Sequence, residues 1–463
     1  MNEKLNEFNE YLLGRKVAIV GLGVSNLPLL KYMNKKGAEV TVFDNREITE
    51  IPKDIMEEVI RYDMTHFFGK DCLSYLKGFS IIFRAPSCMP WQKELVMAEE
   101  KGALVTTEIE MLMKMCPGTV IGVTGSDGKT TTTTLIYEIL KKAGYNCYLG
   151  GNIGTPLFTK LADMNKDDYI ILELSSFQLM NMTVSPKISV ITNISPNHLN
   201  VHKTYEEYIE AKKNIIKNQG KDDIIVLNYD NEITRKIADE TESRVVFFSA
   251  KTKIDDGIII DGDVIKECND RVRRHIINTK EVNLRGRHNY ENVCAAIAAT
   301  KSLVDVDTQI QAIKEFTGVE HRIEFVKEIE GVKWYNDSIG TSPTRTMAGL
   351  NSFDEKVILM AGGYDKHLDY EPLAKPILDN VRALVLMGQT AGKIFDAVKE
   401  EGEKQGKQID TYMCETLEDA VKTAKKVAER GEVVLFSPAS ASFDMFKNFE
   451  ERGKKFKELV NEI

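Results

Sequence analysis

The stretch TVIGVTGSDGKTTTTT, residues 119–134, decides the fold of the central part of the chain. Its apolar run at 119–123 predicts a buried strand, the segment 125–128 predicts a tight loop, and Lys129 opens a predicted helix. This order suits a triphosphate, because the N–H groups of the loop and of the helix N-terminus point at the phosphates. Lys129 would neutralise phosphate charge, and the Thr130 hydroxyl could hold Mg²⁺. The stretch therefore predicts a nucleotide site.

The loop is shorter than the usual pattern G-x-x-x-x-G-K-[ST], because Val123 stands where the first glycine would be. The alternative interpretation is an ordinary turn between a strand and a threonine-rich helix. However, the five consecutive threonines at 130–134 are poor helix formers. Something other than helix propensity must keep them there, which favours the nucleotide interpretation.

Length and composition indicate a globular protein of several domains. At 463 residues, the length predicts roughly three domains. The net charge of −9, without a basic stripe, argues against nucleic-acid binding, since phosphate contacts need clustered cations. No apolar run is long enough to span a bilayer, and the seven scattered cysteines include no C-x-x-C motif. We therefore expect a soluble cytoplasmic protein with reduced thiols and no membrane partner.

The first region contains KVAIVGLGVSNLPLL, residues 16–30, which predicts a strand, a glycine turn and a helix. A second predicted strand ends on Asp44, so the unit resembles a Rossmann-type βαβ with an acidic residue placed for a ribose. Ser25, Asn26, Asp44 and Arg46 would then face a nucleotide. Because Asn26 occupies the third glycine position, a purely structural turn stays open as an alternative.

Strands alternate with helices along the rest of the chain, which predicts parallel sheets with ligands at the carboxyl ends of their strands. Glu173 ends an apolar strand, as a Mg²⁺ ligand or water-holding carboxylate should, and His198 follows the next strand. Lys212 lies on a predicted helix at 205–216. The predicted fold class is α/β in three domains: a Rossmann-like domain at 1–107, a central parallel-sheet P-loop domain at 108–318, and a C-terminal Rossmann-like α/β domain at 319–463.

Ten motifs in chain order resemble the Mur ligase family over nearly the whole length: TGSDGKTT, GGNIGTP, ELSSFQL, NHLNVH, YIEAK, RHNYENV, EHRIE, NDS, GGYDK and SPASASFDMFKNFEERG. Within the family, ELSSFQ and FKNFEERG resemble the branch that adds D-glutamate to UDP-N-acetylmuramoyl-L-alanine. The resemblance implies an ATP-dependent amide ligase that works through an acyl phosphate in cytoplasmic peptidoglycan precursor synthesis. It also implies a monomer whose three domains bind the UDP substrate, ATP and the amino acid in turn.

The same resemblance implies a role for individual residues. Those at ATP are Gly125, Ser126, Asp127, Gly128, Lys129, Thr130, Thr131, Asn289, Asn292, Arg322 and Asp337. Two Mg²⁺ sites, which Mn²⁺ could also fill, would use Thr130 and Glu173 at one and His198 and a carbamylated Lys212 at the other. The implied catalytic residues are Lys129, Glu173, His198 and Lys212. Asn152 and Ser175 would contact the sugar-peptide end of the UDP substrate, and D-glutamate would meet Thr341, Lys366, Ser442, Phe443 and, behind them, Phe449.

Three segments depart from the residues usual in the family. They are Asn197 and Asn200 beside His198, Ile339 after NDS, and Ala85-Pro86-Ser87 in the first region. Other hypotheses stay open at this point. One is a ligase for another amino acid or a folylpolyglutamate-type synthase, and another is an NAD-binding oxidoreductase or nucleotide sensor built on GLGVSN and Asp44. A third is an ATP-binding scaffold without turnover.

Overall fold

The structure is a computed structural model that describes residues 2–196, 201–269, 272–284 and 286–463. The chain forms two compact units. The first comprises Met1–Glu281 with His288–Ile313, and the second comprises Val282–Arg287 with Lys314–Ile463. Five-stranded and nine-stranded sheets lie in the first unit, and a six-stranded sheet lies in the second. In the described part of the chain, no helix combines the length and the apolar character needed to cross a membrane.

The first sheet is built from the N-terminal third of the chain. Its elements are α1 (Glu3–Leu12), β1 (Lys16–Val20), α2 (Leu27–Lys35), β2 (Glu39–Asp44), α3 (Lys53–Arg61), β3 (Thr65–Phe68), β4 (Ile81–Arg84), α4 (Lys93–Glu100) and β5 (Leu104–Thr106). The strand order is β3-β2-β1-β4-β5, and every pair is parallel. The carboxyl ends of β1, β2 and β4 therefore share one edge, as the predicted βαβ unit requires.

The second sheet carries the predicted phosphate loop. Its elements are α5 (Glu108–Met115), β6 (Thr119–Thr124), α6 (Lys129–Lys142), β7 (Cys147–Gly151), β8 (Tyr169–Glu173), α7 (Ser176–Leu179), β9 (Ile188–Ile191), α8 (Tyr205–Lys213), β10 (Ile224–Asn228), α9 (Glu232–Ile237), β11 (Arg244–Ser249), β12 (Gly257–Asp261), β13 (Val264–Asn269), β14 (Val272–Asn278), α10 (Arg287–Thr300) and α11 (Val306–Glu315). The order is β14-β13-β12-β11-β10-β9-β6-β8-β7. Strand β6 is thus a central strand between β9 and β8.

The nine-stranded sheet is parallel from β7 to β12 and antiparallel beyond β12. The β12–β13 hairpin turns at Asp261 and Gly262, as predicted, with Asp261 paired to Val264. The prediction of a parallel sheet is therefore confirmed around the phosphate loop. The antiparallel extension of β13 and β14 lies at the far end of the sheet from β6.

The second unit contains one sheet with helices on its faces. Its elements are β15 (Glu324–Ile329), β16 (Val332–Asn336), α12 (Pro343–Leu350), β17 (Val357–Ala361), α13 (Glu371–Asn380), β18 (Val381–Met387), α14 (Ala391–Gln405), β19 (Asp410–Cys414), α15 (Leu417–Val427), β20 (Val433–Phe436) and α16 (Phe449–Glu462). The order is β15-β16-β20-β17-β18-β19, and only β15 is antiparallel to its neighbour in this sheet. The predicted α/β class of this region is confirmed.

Phe158 and Glu108 join the first two sheets. The Phe158 ring makes edge-to-face contacts with Phe8, Tyr32 and Phe83, with centroids 6.1, 5.3 and 6.2 Å away. Its backbone N–H donates to Oε1 of Glu108 at 2.9 Å. Burial raises the pKa of the Glu108 carboxyl to about 7, although hydrogen bonds from the backbone lower it. A titratable group thus lies within the packed junction.

We expect Glu108→Gln to remove a pH-dependent loss of stability. The folded state binds a proton up to a pKa near 7, whereas the unfolded chain releases it near 4.5, so stability falls as pH rises between these values. The amide keeps the acceptor oxygen and cannot ionise. Relative to wild type, the variant should gain about 1–3 kcal/mol of unfolding free energy between pH 5 and pH 8.

Calorimetric unfolding at both pH values measures this gain. Glu100→Gln, which changes an exposed glutamate of α4, is the control. A difference between Glu108→Gln and wild type that does not change with pH would contradict the expectation.

Candidate functional site

The predicted phosphate loop connects β6 to α6, and close contacts require its glycines. Gly125 and Gly128 have φ values of +150° and +79°. A Cβ at Gly125 would lie 1.9 Å from Oγ1 of Thr192, and one at Gly128 would lie 2.1 Å from Oδ1 of Asn292. Only glycine fits at both positions, which accounts for the tight loop.

Hydrogen bonds from the segment after β9 hold the loop in place. Oγ of Ser126 accepts from the N–H of Ser195 at 2.9 Å and contacts the Tyr208 hydroxyl at 3.0 Å. The N–H of Asp127 donates to Oδ1 of Asn193 at 3.0 Å. The ends of β6 and β9 thus support one site, as expected for neighbouring parallel strands.

Lys129 folds back over the loop at the start of α6. Its Nζ donates to the carbonyl oxygens of Gly125 and Ser126, both at 3.0 Å. Behind it, Thr132 and Thr133 are fully buried, and the Thr133 hydroxyl donates to the carbonyl of Lys129 at 2.7 Å. Burial and backbone contacts, rather than helix propensity, therefore account for the threonine run.

Lys212 lies beneath the same loop. Its side chain is 1% exposed, and Nζ donates to the carbonyl of Gly125 at 2.7 Å and to Oγ1 of Thr124 at 3.3 Å. Burial, together with the charge of Lys129, lowers the pKa of the Lys212 ammonium well below its ordinary value. The structure therefore places Lys212 at the loop, although the sequence alone would suggest a solvated surface lysine. The other predicted ligand of this metal site, His198, lies outside the described residues, as do Asn197 and Asn200.

Glu173 ends β8 and has one unsatisfied oxygen. The carboxylate is 2% exposed, and Oε1 accepts from Nδ2 of Asn152 at 2.8 Å. Oε2 is buried and has no hydrogen-bond partner among the described residues. An unsatisfied buried carboxylate oxygen is costly, and oxygen is the ligand that Mg²⁺ prefers. Glu173 therefore fits a divalent cation, whereas the part of Thr130 in the same site stays a prediction. An ammonium does not bind a cation, so Lys212 fits a metal only as a carbamate.

No set of three His, Cys, Asp or Glu side chains that could hold a metal occurs in the described parts of the chain. A cation at Glu173 would thus need further ligands, such as phosphate oxygens or water.

Asn292, predicted at ATP, lies beside the start of α6, where Oδ1 accepts from the Thr132 hydroxyl at 3.4 Å. Its Nδ2 donates to Oδ1 of Asn289 at 3.1 Å.

The glycine turn after β1 is held by Asp44 and Asn26. Asp44 accepts from the N–H of Leu22 at 2.8 Å and from Nε and Nη2 of Arg46, both at 2.8 Å. Burial alone would raise the pKa of the Asp44 carboxyl, but its hydrogen bonds lower it. Asn26 is fully buried and donates to the carbonyls of Val20 and Gly21, both at 3.0 Å. Asn26 thus has a structural part in the turn, while its contact with a nucleotide stays a prediction. Ser25 lies half-buried in the same turn.

Ser175 forms the N-cap of α7, directly after the strand that ends in Glu173. Its Oγ accepts from the N–H of Gln178 at 3.3 Å, and its N–H donates to Oε1 of Gln178 at 2.9 Å. The next residue, Ser176, contacts Nε2 of His202 at 3.0 Å, and His202 is 1% exposed. The predicted substrate residue therefore lies on a short, well-braced helix.

In the second unit, the structure brings together part of the predicted amino-acid set. Nζ of Lys366 lies 5.3 Å from the centroid of the Phe443 ring, which is 58% exposed. Ser442 is buried, and Thr341 is half-buried. The Phe449 ring contacts that of the buried His321, with centroids 6.2 Å apart.

Asp337 lies between the carboxyl ends of β16 and β20. Its carboxylate accepts from Oγ of Ser437 at 2.7 Å and from the N–H of Ile323 at 3.3 Å. Burial raises the pKa of Asp337 to about 7, although its hydrogen bonds and the nearby charges of Arg322 and Arg345 lower it. Arg322 and Asp337, both predicted at ATP, thus lie within electrostatic reach of each other.

Sequence reasoning missed two buried arginines. Arg452 is 1% exposed and donates to the carbonyls of Ser338, Ser440 and Ala441 at 2.9, 3.1 and 2.9 Å. It therefore connects two of the predicted amino-acid loops. Arg84 ends β4 and is 4% exposed. The sequence signal for Arg84 was a single arginine at the end of the apolar run IIFR. This pattern is too common to identify one arginine.

Three family models match consecutive parts of the chain. Residues 15–107 match "Mur ligase MurD-like, N-terminal domain", residues 123–300 match "Mur ligase middle domain", and residues 321–440 match "Mur ligase, glutamate ligase domain".

Curated relatives match over the full length. A protein of Acetivibrio thermocellus named "UDP-N-acetylmuramoylalanine--D-glutamate ligase" is 50% identical over 465 residues, with 100% of both chains covered. Proteins of the same name from Clostridium botulinum and Clostridium acetobutylicum are 45% identical, again with 100% of both chains covered.

Solved structures share the fold at lower identity. The UDP-N-acetylmuramate-alanine ligase MurC of Thermotoga maritima has a TM-score of 0.57 at 18% identity and covers 97% of this chain and 99% of its own. MurF of Acinetobacter baumannii has a TM-score of 0.57 at 15% identity, with 97% and 92% covered. On the strength of the three family models and the full-length relatives, the chain belongs to the Mur ligase family.

Proposed function

We propose that this protein is an ATP-dependent ligase that adds D-glutamate to UDP-N-acetylmuramoyl-L-alanine in peptidoglycan precursor synthesis. The observation that carries the proposal is the site at the carboxyl ends of β6 and β8, where Lys129 and Lys212 contact one glycine loop and the buried Glu173 has an unsatisfied oxygen. The curated relatives named above supply the substrate class.

The chemistry follows from the weakness of a carboxylate as an electrophile. Transfer of the γ-phosphoryl group of ATP to the carboxylate gives an acyl phosphate and ADP. The amine of D-glutamate then attacks the carbonyl carbon, a tetrahedral intermediate forms, and phosphate leaves as the amide bond is completed. Charge on the transferred phosphoryl group needs cations close by, which is the role we assign to Lys129.

Glu173 and Thr130 would hold one Mg²⁺, and His198 and carbamylated Lys212 a second, with Mn²⁺ as a possible substitute. When bound, the metal neutralises phosphate charge. The loop residues 125–131 would bind the β- and γ-phosphates, and Asn289, Asn292, Arg322 and Asp337 would complete the ATP site.

The two substrates would bind outside the ATP loop. Ser25, Asn26, Asp44 and Arg46 would hold the UDP moiety, and Asn152 and Ser175 the sugar and peptide. Lys366, Thr341, Ser442 and Phe443, with Phe449 behind them, would bind the two carboxylates of D-glutamate, because a cation and several donors are needed there. The corresponding domains are proposed at 1–107, 108–318 and 319–463, in a protein that works as a monomer in the cytoplasm.

A phosphate-release assay tests the proposal directly. We expect release with ATP, UDP-N-acetylmuramoyl-L-alanine and D-glutamate together, and little release when any of these is omitted or when L-glutamate, lysine or meso-diaminopimelate replaces D-glutamate. Lys129→Ala should lower turnover at least about 100-fold, since it removes a cation from the phosphoryl group. Lys141→Ala, an exposed lysine of the same helix, is the matched control. Unchanged turnover in Lys129→Ala would overturn the catalytic assignment.

The loop geometry predicts different outcomes for two glycines that flank α6. Gly128 and Gly144 have φ values of +79° and +87°, but a Cβ at Gly144 would meet no atom within 4 Å. Each alanine variant should lose about 1–2 kcal/mol of stability from left-handed strain. Only Gly128→Ala should also weaken binding of a non-hydrolysable ATP analogue, by about tenfold or more, because the new Cβ would collide with the side chain of Asn292, which we assign to the ATP site. Calorimetry and titration measure both quantities, and equal affinity in the two variants would refute the expectation.

Lys212 is the proposed carbamate. The ammonium first loses a proton to give the neutral amine. Addition of CO₂ to this amine forms an N–C bond and releases a second proton, so that the former cation becomes an anion. We expect Lys212→Ala to lose turnover roughly 10–100-fold or more, as when support for a metal is removed. A short-chain carboxylic acid should restore part of the activity, because it supplies the missing carboxylate.

Lys213→Ala, which changes the neighbouring lysine paired with Glu210, is the control for the Lys212 experiment. Wild-type turnover should also fall when CO₂ is removed and return with bicarbonate. If neither bicarbonate nor the acid alters activity, the carbamate assignment is wrong.

A further inference from the structure

Arg84 is a buried arginine that links the first two sheets. It ends β4, and its Nη1 donates to the carbonyl of Cys88 at 3.1 Å, while Nη2 donates to the carbonyl of Met180 at 3.0 Å. Arg84 forms no ion pair with any residue that the structure describes. Burying a guanidinium is costly, and the cost is offset here by the two backbone carbonyls and, beyond ion-pair distance, by the charge of Glu110.

On one side, Arg84 fixes the loop 85–88 at the edge where the first sheet carries its predicted UDP residues. The N–H of Ala85 donates to the carbonyl of Val20, at the end of β1, at 2.8 Å. A Cβ at Gly21 would lie 2.7 Å from that of Ala85, so this loop packs against the glycine turn. Movement of the loop would therefore disturb the turn that Asp44 and Asn26 hold.

On the other side, Met180 directly follows α7, the helix whose N-cap is Ser175. Nδ2 of Asn214 donates to the carbonyl of Leu179 at 3.1 Å, and His202 contacts Ser176 at the start of the helix. Three side chains thus contact this helix of four residues or the residue after it. Of the three, Arg84 comes from the first sheet.

We propose that Arg84 is a positioning residue for the UDP-linked substrate. Its planar fork sets the distance between the loop 85–88, at the nucleotide end, and α7, at the sugar-peptide end. A ligand that contacts both segments binds best when their separation is already fixed, because ordering the segments on binding costs free energy. The proposal rests on the proposed function, because it takes UDP-N-acetylmuramoyl-L-alanine as the ligand that spans them.

The test measures two affinities of the full chain by isothermal titration, one for UDP-N-acetylmuramoyl-L-alanine and one for a non-hydrolysable ATP analogue. In Arg84→Met we expect the Kd for the UDP substrate to rise at least about tenfold, since hydrogen bonds from charged donors are the stronger ones. The Kd for the ATP analogue should stay within about twofold, because the ATP loop shares no contact with Arg84. KM for the UDP substrate should rise, with kcat little changed.

Arg84→Lys separates positioning from charge, because lysine keeps the cation and loses the fork. It should lose affinity nearly as much as Arg84→Met, and it carries the test if the methionine variant does not fold. Arg382→Met is the control, since that arginine also donates to a backbone carbonyl, at Val427, far along the chain.

Wild-type affinity in Arg84→Lys, or equal losses for both ligands in either variant, would overturn the positioning role. If the wild-type protein itself does not bind UDP-N-acetylmuramoyl-L-alanine, the proposed function fails and this inference fails with it. A wild-type protein that binds the substrate, beside Arg84 variants that bind it equally well, refutes the inference alone.

Discussion

A lysine side chain packed under the glycine loop is the constraint on which the central sheet depends. Removing the polar end of a lysine from water is costly unless polar groups replace the lost hydration. Here the Gly125 carbonyl, the Thr124 hydroxyl and the Tyr208 ring, 4.7 Å from Nζ, surround Lys212. The loop conformation and the lysine position therefore determine each other. A change in the loop would leave the lysine without its acceptors.

This arrangement is possible because the sheet is parallel around β6. The ends of β6, β8 and β9 lie side by side, so Thr124, Glu173 and the segment after Ile191 meet at one edge. Helix α8 then crosses to the same edge and brings Tyr208 and Lys212 to the loop. Residues far apart in sequence thus form one site.

Much of this could be predicted from the sequence, for physical reasons. The apolar runs of β1, β6, β8 and β20 are short and buried, and glycine marks the turns that follow β1 and β6. The position of Glu173 at a strand end followed from the same pattern. The family motifs also identified Lys212, whose burial no local pattern predicts.

Other features depend on contacts that sequence spacing does not encode. Strand β3, Thr65–Phe68, has too little apolar character to be recognised. The contacts of Glu108 with Phe158 and of Arg84 with Met180 each join segments whose approach is decided only by packing. A polar residue at the end of a strand gives the same sequence pattern whether its side chain contacts a ligand or forms hydrogen bonds with the backbone.

The threonine run of α6 has a consequence for how the protein is made. Threonine disfavours isolated helices, so this helix gains its stability from burial against the sheet rather than from its own sequence. One of its burial contacts, from Thr132 to Asn292, joins positions 160 residues apart. During synthesis, the nascent chain would carry the phosphate loop for a long interval before that neighbour emerges from the ribosome. Burial of α6 is therefore complete only after Asn292 has been synthesised.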